Sequence, residues 1–450
     1  MKRILCAWMS LVLIFALCLP VAQAADGPAL SLSEENSAAG REVELVLSVQ
    51  DNAGLKGISA EVVYDPAVLT LLSAAPKTEL GTWDVETIAQ DGVLFWYSTE
   101  SFTGEKLVGL RFRVADDAPL GRSEVSLRFG DWRGLYDGNG DKIESFTQTA
   151  GAVVVVEEPE VVFAGTSISA AGNIGLNCYL QLKDAFLQDS GAYITVDGKQ
   201  FSAAEAETRI ISGITLHRFS VERVAAEMNV EAVIRAYHGD GTEVNIESSG
   251  RIYTQGIGTT VRGYLERASL TLSEPTLLHF LDAMSDYGRY AQLHFKNDLV
   301  HLAEQKNDLS QVTEETLAPF ASTIIKAENS GVELAGTTLT VKTNTIMRHY
   351  FSLTSGNIGD YSFLLDGQEV TPVQNGNYWC VELPDIPAAL LDRIHTIRVL
   401  EGDREILNTS YCALSYCCSA MKYYTSDEDL LNLVKAIYLY NQAANVYFRQ

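Results

Sequence analysis

A short acidic segment has the residue types of a calcium loop. Asp137, Asn139 and Asp141 stand at alternate positions, which is how the oxygen ligands of an EF-hand loop begin. Such a loop needs glycine at its sixth position and glutamate at its twelfth, where this sequence has Lys142 and Gln148. A β-hairpin turn, rich in residues that tolerate left-handed backbone, is the better interpretation. We therefore predict no metal site here.

The cysteines do not have the spacing of metal ligands. Cys412, Cys417 and Cys418 are close together, but they match no common zinc pattern and no histidine is nearby. With Cys178 and Cys380 they make an odd number beyond residue 24, which does not form a complete disulfide framework. Small buried thiols on a helix are the favoured interpretation of the three-cysteine group.

No group of residues has the pattern of a catalytic site. His279 and His294 fall on one predicted helix but are 15 residues apart, whereas a metal-binding pair would be four apart. The sequence has no Gly-x-Ser-x-Gly nucleophile elbow and no Walker loop. Among 58 Asp and Glu residues some pair suited to glycoside hydrolysis always exists, so acidic pairs do not discriminate. We predict a protein that is not an enzyme, with no catalytic residue and no cofactor.

The charge balance excludes some classes of partner. The chain has 58 Asp and Glu against 33 Lys and Arg, a formal net charge of −25. Such a surface repels nucleic acid phosphates, which need Lys and Arg to neutralise them. It also disfavours docking on anionic lipid. We expect no nucleic acid partner.

The first 24 residues have the pattern of a signal peptide. Lys2 and Arg3 precede an apolar run that ends at Leu19, and Ala22-Gln23-Ala24 supplies a small-x-small cleavage site. The apolar run is shorter than the roughly 20 residues that span a bilayer. We predict a signal peptide at residues 1–24, a secreted or surface-associated protein, and no membrane span after cleavage.

Residues 25–158 are predicted to form an all-β sandwich or jelly roll. Apolar and polar residues alternate along Val43–Val49 and Ile58–Tyr64, as in half-buried strands. Turn signals such as Asp65-Pro66 and Asp91-Gly92 separate short strands, a spacing typical of sandwiches. Further strands are predicted at Val93–Tyr97, Val108–Val114, Val125–Phe129 and Ala152–Val156. A polar break at 157–160 marks the domain boundary.

The rest of the chain contains an internal repeat. Leu277–Phe295 and Leu430–Phe448 align without gaps at an offset of 153 residues, and both have the apolar spacing of a helix. Earlier helical stretches at Val261–Leu270 and Tyr411–Tyr424 complete a helical hairpin in each copy.

Strand pairs precede each helical hairpin. They are joined by Asp197-Gly198 in one copy and Asp366-Gly367 in the other, and Asp-Gly between alternating runs is a strong hairpin signal. We predict two copies of a small β-sandwich with a helical hairpin, at residues 159–300 and 301–450, with a connecting helix at 301–320. The predicted fold class is mainly β with helical hairpins.

The segment Leu30–Val156 resembles a cohesin domain. Tyr64-Asp65-Pro66-Ala67-Val68-Leu69 is similar to a strand-end signature of that family, and Gly92–Trp96, Leu107–Phe112 and Ala118–Leu127 are similar to later parts of it. The resemblance implies a nine-stranded jelly roll that binds a dockerin, a small calcium-loaded helical module on another protein. It also implies a role in cellulosome-like extracellular complexes that degrade plant polysaccharide. The C-terminal copies resemble repeated modules of surface proteins from gut anaerobic bacteria.

The resemblance places the docking face on the strand around Ile58–Tyr64. Outward positions alternate with the core-facing set, and in well-known cohesins an Asn-x-Asp pair reads the dockerin where this chain has Gly57 and Ser59. Trp83 and Trp96 are further candidate contacts, for which a buried core role is an equal alternative. The predicted partner-binding residues are Gly57, Ser59, Glu61, Trp83 and Trp96. The predicted partner is a dockerin-containing protein that carries the calcium.

A carbohydrate-binding or adhesive protein is the alternative, with polysaccharide as the partner. Twenty Tyr and five Trp residues could stack on sugars. A coplanar row of exposed aromatic rings on one sheet would favour glycan. A flat face with scattered polar side chains would favour a helical protein partner.

Overall fold

The computed structural model describes residues 27–84, 91–130, 132–170, 173–341 and 345–448. The predicted signal peptide lies outside the described residues. The chain forms two compact units, one up to Glu158 and one from Pro159 onwards. Strands predominate in both, and helical hairpins occur in the second, so the predicted fold class is confirmed.

The N-terminal unit is a β-sandwich. Its described strands are β1 (Ala29–Leu32), β2 (Glu34–Ala38), β3 (Glu42–Gln50), β4 (Leu55–Val63), β5 (Leu69–Pro76), β6 (Thr82–Trp83), β7 (Val93–Phe102), β8 (Lys106–Val114), β9 (Gly121–Arg128), β10 (Gly134–Asp137), β11 (Thr147–Thr149) and β12 (Gly151–Val156). One sheet has the order β11-β1-β3-β8-β5. The other has the order β2-β12-β9-β4-β7-β6, and β10 also pairs with β4.

Alternation along the strands builds the core of this unit. In β3 the side chains of Leu45, Leu47 and Val49 are completely buried, and the partly buried residues Val46 and Ser48 separate them. In β4 Ile58, Ala60 and Val62 are buried at alternate positions, which confirms the predicted inward face. Because successive side chains point to opposite faces, the residues between them lie on the outer face of the sheet.

The second unit contains both copies of the repeat. The first copy has β13 (Val161–Ser169), β14 (Ile174–Leu182), α1 (Asp184–Gln188), β15 (Tyr193–Val196), β16 (Lys199–Ser202), β17 (Glu207–Ile211), β18 (Ile214–Arg223), β19 (Ala232–Tyr237), β20 (Glu243–Val244), β21 (Ile246–Ser248), β22 (Arg251–Tyr253), β23 (Ile257–Thr259), α2 (Val261–Thr271) and α3 (Pro275–Phe295). The second copy has α4 (Glu314–Leu317), β24 (Thr323–Lys326), β25 (Val332–Thr340), β26 (Ile346–Leu353), β27 (Tyr361–Leu365), β28 (Gln368–Val370), β29 (Val373–Asn375), β30 (Tyr378–Leu383), β31 (His395–Glu401), β32 (Arg404–Tyr411), α5 (Ala413–Tyr423) and α6 (Glu428–Phe448). Short 3₁₀ turns lie at Ala225–Glu227, Leu309–Gln311, Ala318–Phe320, Ile358–Asp360 and Ala388–Leu390.

Each copy contains two sheets. In the first copy they have the orders β17-β18-β14-β13-β21-β22 and β16-β15-β19-β20, with β23 paired to β19. In the second copy the orders are β25-β26-β30-β29 and β24-β32-β31-β27-β28. The register of β13 shifts between Phe163 and Gly165, and that of β25 shifts between Leu334 and Gly336. The copies therefore share a strand irregularity as well as strand pairs.

The predicted Asp-Gly hairpins are present in both copies. Asp197 and Gly198 have φ values of 54° and 76°, and Asp366 and Gly367 have values of 51° and 84°. Left-handed backbone at both central positions is what a two-residue type I′ turn requires. Aspartate tolerates this conformation and glycine adopts it freely, which explains why the pair recurs.

The long helices α3 and α6 confirm the alignment of the repeat. They begin and end 153 residues apart, which is the offset of the sequence match. Glu274 caps α3 by accepting hydrogen bonds from the backbone of Thr276 and Leu277. The Asp427 carboxylate accepts a hydrogen bond from the backbone N–H of Leu430, 3.0 Å away, at the start of α6.

One hydrophobic cluster contains residues of both copies, and the sandwich of the second copy also has a smaller cluster of its own. Tyr287 of α3 and Tyr440 of α6 occupy equivalent positions, and their rings stack with centroids 5.1 Å apart. Phe280 of α3 also stacks on Tyr440, with centroids 5.5 Å apart and an interplanar angle of 16°. The larger cluster includes the sandwich of the first copy, the helical hairpins of both copies and part of the second sandwich. The boundary at residues 300 and 301 thus divides two copies of a repeat within one compact unit.

The predicted connecting helix at 301–320 is wrong. That segment contains only the one-turn helix α4 and two short 3₁₀ turns. Asp286 of α3 is completely buried and accepts hydrogen bonds from the backbone N–H groups of Lys306 and Asn307, at 2.8 and 2.7 Å. Those contacts take the backbone donors that a helix would use, and Pro319 interrupts any continuation.

The described cysteines are free thiols. Cys178, Cys380, Cys412 and Cys417 are buried, and Cys418 is partly buried. Burial raises the pKa of the Cys178 thiol to about 12. Cys417 and Cys418 lie on α5, and Cys412 directly precedes it, as the interpretation of thiols on a helix predicts.

None of the described helices is both long and apolar enough to cross a membrane. No cluster of three or more His, Cys, Asp or Glu side chains suited to a metal ion occurs in the part of the chain that the structure describes.

His349 is an ionisable group inside the core of the second copy. It is 1% exposed, its Nδ1 lies 3.1 Å from the Thr337 hydroxyl, and its ring packs edge-on against Tyr411. Burial, with a smaller contribution from nearby His395, lowers the pKa of His349 to about 4. The imidazole is therefore neutral in the folded protein at pH 5 to 7.

We predict that His349 makes the unfolding of the second unit depend on pH. As the pH falls from 6.5 towards 4 the unfolded chain binds a proton that the folded chain does not. The free energy of unfolding should decrease by up to about 1.4 kcal/mol per pH unit over that window. Urea unfolding at pH 7, 6 and 5 measures this slope. His349→Leu should reduce it, and His301→Gln, at an exposed site, should not; equal slopes in all three proteins would refute the prediction.

Candidate functional site

The outer face of β4 forms the floor of a trough. Gly57 and Ser59 alternate with the buried apolar residues of the strand, and Gly134 of β10 lies opposite Ser59. Ser59 is only 4% exposed because strands lie on both sides of it. A Cβ atom on Gly57 would come within 3.2 Å of the Trp96 carbonyl oxygen and 3.4 Å of the Tyr136 ring. Because these residues are small, the centre of this face forms a depression in the sheet surface.

Aromatic side chains form the walls of the trough. Phe95 and Tyr97 of β7 lie opposite Ser59 and Gly57, and they are 42% and 51% exposed. On the other side Tyr136 of β10 lies opposite Gly57, and Trp132, 68% exposed, also lines the space. The groove has a volume of about 670 Å³. Adjacent strands are about 4.8 Å apart, so β7 and β10, on either side of β4, are about 10 Å apart.

Glu61 lies at one end of this floor and is already engaged. Its carboxylate accepts hydrogen bonds from Arg128 and, at 2.7 Å, from Arg133. These hydrogen bonds lower the pKa of Glu61, and the one from Arg128 has the larger effect. The Arg133 guanidinium lies over the Trp132 ring, 4.3 Å from its centroid. Glu61 thus holds Arg133, which in turn supports one wall of the trough.

Trp96 is a core residue, so its indole is not on the predicted contact face. It is 1% exposed, and its Nε1 donates a hydrogen bond to the Leu80 carbonyl oxygen at 2.9 Å. Trp83 lies directly opposite on β6 and packs against it, with ring centroids 5.7 Å apart. Successive side chains of a strand point to opposite faces, so Trp96 points into the core while its neighbours Phe95 and Tyr97 point outward.

The sequence did not point to the four aromatic wall residues. Phe95 and Tyr97 could have been found from the alternation of Val93–Tyr97, had the inward face been assigned to Leu94 and Trp96. Tyr136 and Trp132 could not, because β10 pairs with β4 across some 75 residues of chain. The partner-binding role of Gly57, Ser59, Glu61 and Trp83 remains a prediction.

The segment resembling a calcium loop is a turn. Asp137 accepts hydrogen bonds from the backbone N–H groups of Asn139 and Asp141, at 2.8 and 3.0 Å. Both hydrogen bonds lower the pKa of Asp137, and the one from the Asp141 N–H has the larger effect. Tyr136 and Lys142 form an isolated bridge across the turn. The carboxylate is used to shape the chain, which agrees with the predicted turn.

Comparison with protein families concerns the unit that carries the trough. Residues 28–155 match the family model of the cohesin domain. The predicted resemblance is confirmed. Cohesin domains are non-catalytic binding modules, and they occur in extracellular cellulosome scaffolds. The match covers the N-terminal, cohesin-like unit and does not extend to the repeat.

Solved structures include cohesins from several organisms. One is a type I cohesin–dockerin complex from Clostridium thermocellum, 14% identical, covering 29% of this chain and 100% of that one, with a TM-score of 0.25. Another is the third cohesin ScaC with the ScaB dockerin from Acetivibrio cellulolyticus, at 14% identity, 29% and 100% coverage, and a TM-score of 0.26. A third is a non-cellulosomal cohesin from Archaeoglobus fulgidus, at 14% identity, 29% and 91% coverage, and a TM-score of 0.24. No curated protein matches the chain.

Substitutions at adjacent residues of β7 should separate the two faces of the sheet. We expect Trp96→Ala to lower the free energy of unfolding of the cohesin-like unit by about 3–5 kcal/mol, because it leaves a cavity in the core. Tyr97→Ala, on the trough wall, should change it by no more than about 0.5 kcal/mol. Urea unfolding followed by circular dichroism measures both. Similar losses for the two variants would contradict the assignment of faces.

Proposed function

We propose that the cohesin-like unit is a docking module for a dockerin-bearing protein, and that its partner contacts the trough. The match of residues 28–155 to the cohesin family supports this proposal. So does the trough itself, whose exposed rings offer a partner more apolar area than a flat polar face would. The module performs no reaction of its own, and the calcium of the complex belongs to the partner.

The dimensions of the trough suggest how a helical partner docks. A helix with its side chains is about 10–12 Å wide, so it does not enter a trough whose walls stand on strands about 10 Å apart. It lies across the rim and inserts side chains between Tyr97 and Tyr136. Buried Tyr and Trp residues at the centre of an interface commonly carry most of its binding energy. Tyr97 and Trp132 are therefore the residues on which affinity should depend most.

The chain departs from well-known cohesins at the centre of this face. In place of an Asn-x-Asp pair it has Gly57 and Ser59, which offer one hydroxyl and open space. Recognition here depends on filling the trough rather than on paired polar contacts. A dockerin that suits the Asn-x-Asp pair of other cohesins would leave the space above Gly57 and Ser59 empty. It would therefore lose the van der Waals contacts that a well-packed interface provides.

Polysaccharide is the second candidate ligand for this face. Exposed Phe95, Tyr97 and Trp132 favour it, since aromatic rings stack on sugars. However, the Phe95 and Tyr97 rings are tilted by 51° to one another, whereas a sugar platform requires a coplanar row. This geometry favours a protein partner. We further propose that the chain is exported and that docking places it in extracellular complexes that act on polysaccharide.

A binding experiment with the full chain tests the docking proposal. The dissolved protein is titrated with each member of a panel of calcium-loaded dockerins, and affinity is measured by titration calorimetry. We expect binding that EDTA removes, and losses of about 2 kcal/mol or more for Tyr97→Ala and for Trp132→Ala.

Ser59→Trp is the sharper variant because it fills the trough. Thr70→Trp is its matched control, since Thr70 is an outward residue of β5 in the opposite sheet. Ser59→Trp should weaken dockerin binding at least about tenfold, which corresponds to 1.4 kcal/mol, and Thr70→Trp should leave it unchanged. Failure of every dockerin to bind, or equal affinity of the two variants, would refute the proposal. Binding of oligosaccharide alone, lost in Ser59→Trp, would establish the second candidate instead.

A further inference from the structure

A groove of about 550 Å³ follows one edge of β18 in the first copy of the repeat. Its lining includes Asn177 on the outer face of β14, the consecutive residues Ser220–Arg223 of β18, and Asp197 and Lys199 of the other sheet. Successive side chains of a strand point to opposite faces of its sheet. A groove lined by consecutive residues therefore extends around the edge of β18 and is not confined to one face.

The neighbouring strand β17 covers only part of this edge. It pairs with β18 as far as Glu207, which lies opposite Arg218. In the part of the chain that the structure describes, no other strand pairs with Phe219–Arg223 on the side away from β14. At about 3.4 Å per residue, the uncovered edge is about 17 Å long.

The hairpin between β17 and β18 shows which backbone groups point to the groove. Its turn residues Ser212 and Gly213 have φ values of 51° and 80°, as in a type I′ turn, so Ile214 exchanges hydrogen bonds with the residue opposite it. Every second residue of β18 from there on points its N–H and C=O to the same side, because neither ladder of the strand shifts in register. The backbone groups of Ser220 and Glu222 therefore point away from β14 and into the groove.

Most of these backbone groups are available to a partner. The Glu222 carbonyl oxygen accepts a hydrogen bond from Nη1 of Arg223 at 3.2 Å. The Ser220 N–H, the Ser220 C=O and the Glu222 N–H have no hydrogen-bond partner among the described residues. Donors and acceptors at this spacing on a sheet edge are a template for pairing with another strand.

The second copy of the repeat has the same edge without one of these donors. The irregularity shared by β13 and β25 aligns the two copies, so that Ser220 corresponds to Glu382 and Glu222 to Pro384. The strand β29 stops at the equivalent point, opposite Cys380. Proline has no N–H, and proline at a sheet edge is one of the ways in which proteins prevent strand addition. The first copy thus retains a donor that the second copy lacks.

We propose that the edge of β18 binds an extended peptide segment of another protein, which adds to the sheet as an antiparallel strand in line with β17. Ser220 exchanges two hydrogen bonds with the peptide residue opposite it, and the Glu222 N–H donates a third. These backbone hydrogen bonds supply the affinity, as in other cases of strand addition. This inference is independent of the docking face on the cohesin-like unit.

The groove also indicates the side chains that such a segment carries. A peptide residue beside Val221 faces the interior and suits a β-branched apolar side chain, whereas one beside Ser220 faces outward and suits a polar side chain. The chain carries a net charge of −25, which favours a neutral or basic segment over an acidic one. The expected partner is an alternating apolar and polar segment without proline at the positions that face β18.

Amide hydrogen exchange of the full chain, followed by mass spectrometry, tests the proposal with a synthetic peptide. The peptide alternates threonine and valine and has a lysine at each end. At a peptide concentration about ten times its dissociation constant, we expect exchange in Phe219–Arg223 to slow about tenfold, and exchange in the edge strand β24 to stay unchanged. The same peptide with every backbone nitrogen methylated cannot donate to β18 and should have no effect. Unchanged exchange in Phe219–Arg223, or equal protection by the methylated peptide, would overturn the proposal.

Two substitutions at one residue separate the backbone of β18 from its side chains. Ser220→Pro removes the N–H that faces the groove, and Ser220→Val keeps it, while both lose the hydroxyl that donates to Asn177. Because this N–H points away from β14, proline breaks no bond of that ladder. Ser220→Pro should weaken peptide binding, measured by fluorescence anisotropy of the labelled peptide, at least about tenfold, and Ser220→Val by no more than about twofold. Equal affinity of these two variants would contradict strand addition.

A second proline variant guards against a loss of folding in the first. Glu222→Pro installs the residue of the second copy, should keep the thermal unfolding midpoint, and should also weaken peptide binding about tenfold. Wild-type affinity in this variant would show that the peptide does not pair with the edge, and would overturn the proposal.

Discussion

The stacked rings of Tyr287 and Tyr440 determine how the repeat region is built. The two residues occupy equivalent positions on α3 and α6, and each ring is almost completely buried by the other copy. Burial raises the pKa of both hydroxyl groups, and the Tyr287 hydroxyl interacts with Thr345. Aromatic pairs of this kind contribute about 0.5–1.5 kcal/mol beyond the area they bury. Because the rings require a close approach of the helices, the sandwiches attached to them have little freedom of their own.

Each sandwich is tied to its long helix by an asparagine side chain, although the two asparagines are at different positions in the repeat. Asn297, just beyond α3, donates its side-chain amide to the Ala226 carbonyl oxygen, and Asn441 of α6 donates to Ala388, both at 2.8 Å. Those carbonyl groups lie in the 3₁₀ turns that follow a central strand of each copy. In both copies the contact therefore connects the helix, through the turn, to the sheet.

The parts of the structure that follow local rules were predictable from the sequence. Alternation placed Ile58, Ala60 and Val62 inside, and Asp-Gly pairs located two type I′ turns. The internal repeat located α3 and α6, because both copies have the same helical spacing of apolar residues. What failed depends on contacts distant in sequence. Asp286 captures backbone donors some 20 residues away and removes the expected connecting helix. The pairing of β10 with β4 supplies one aromatic wall of the trough. This pairing could not be predicted, because the periodicity of one strand does not indicate which strand lies beside it.

The core shared by the two copies determines how short a stable fragment of the repeat region can be. Equivalent residues of the two copies face one another across α3 and α6, which is the geometry of an isologous contact, formed here within a single polypeptide. A chain ending after the first copy would leave Phe280 and Tyr287 uncovered along the length of α3. Exposed apolar stripes of that kind drive self-association. Half of the repeat region would therefore exist as a homodimer or an aggregate, and the monomer requires both halves.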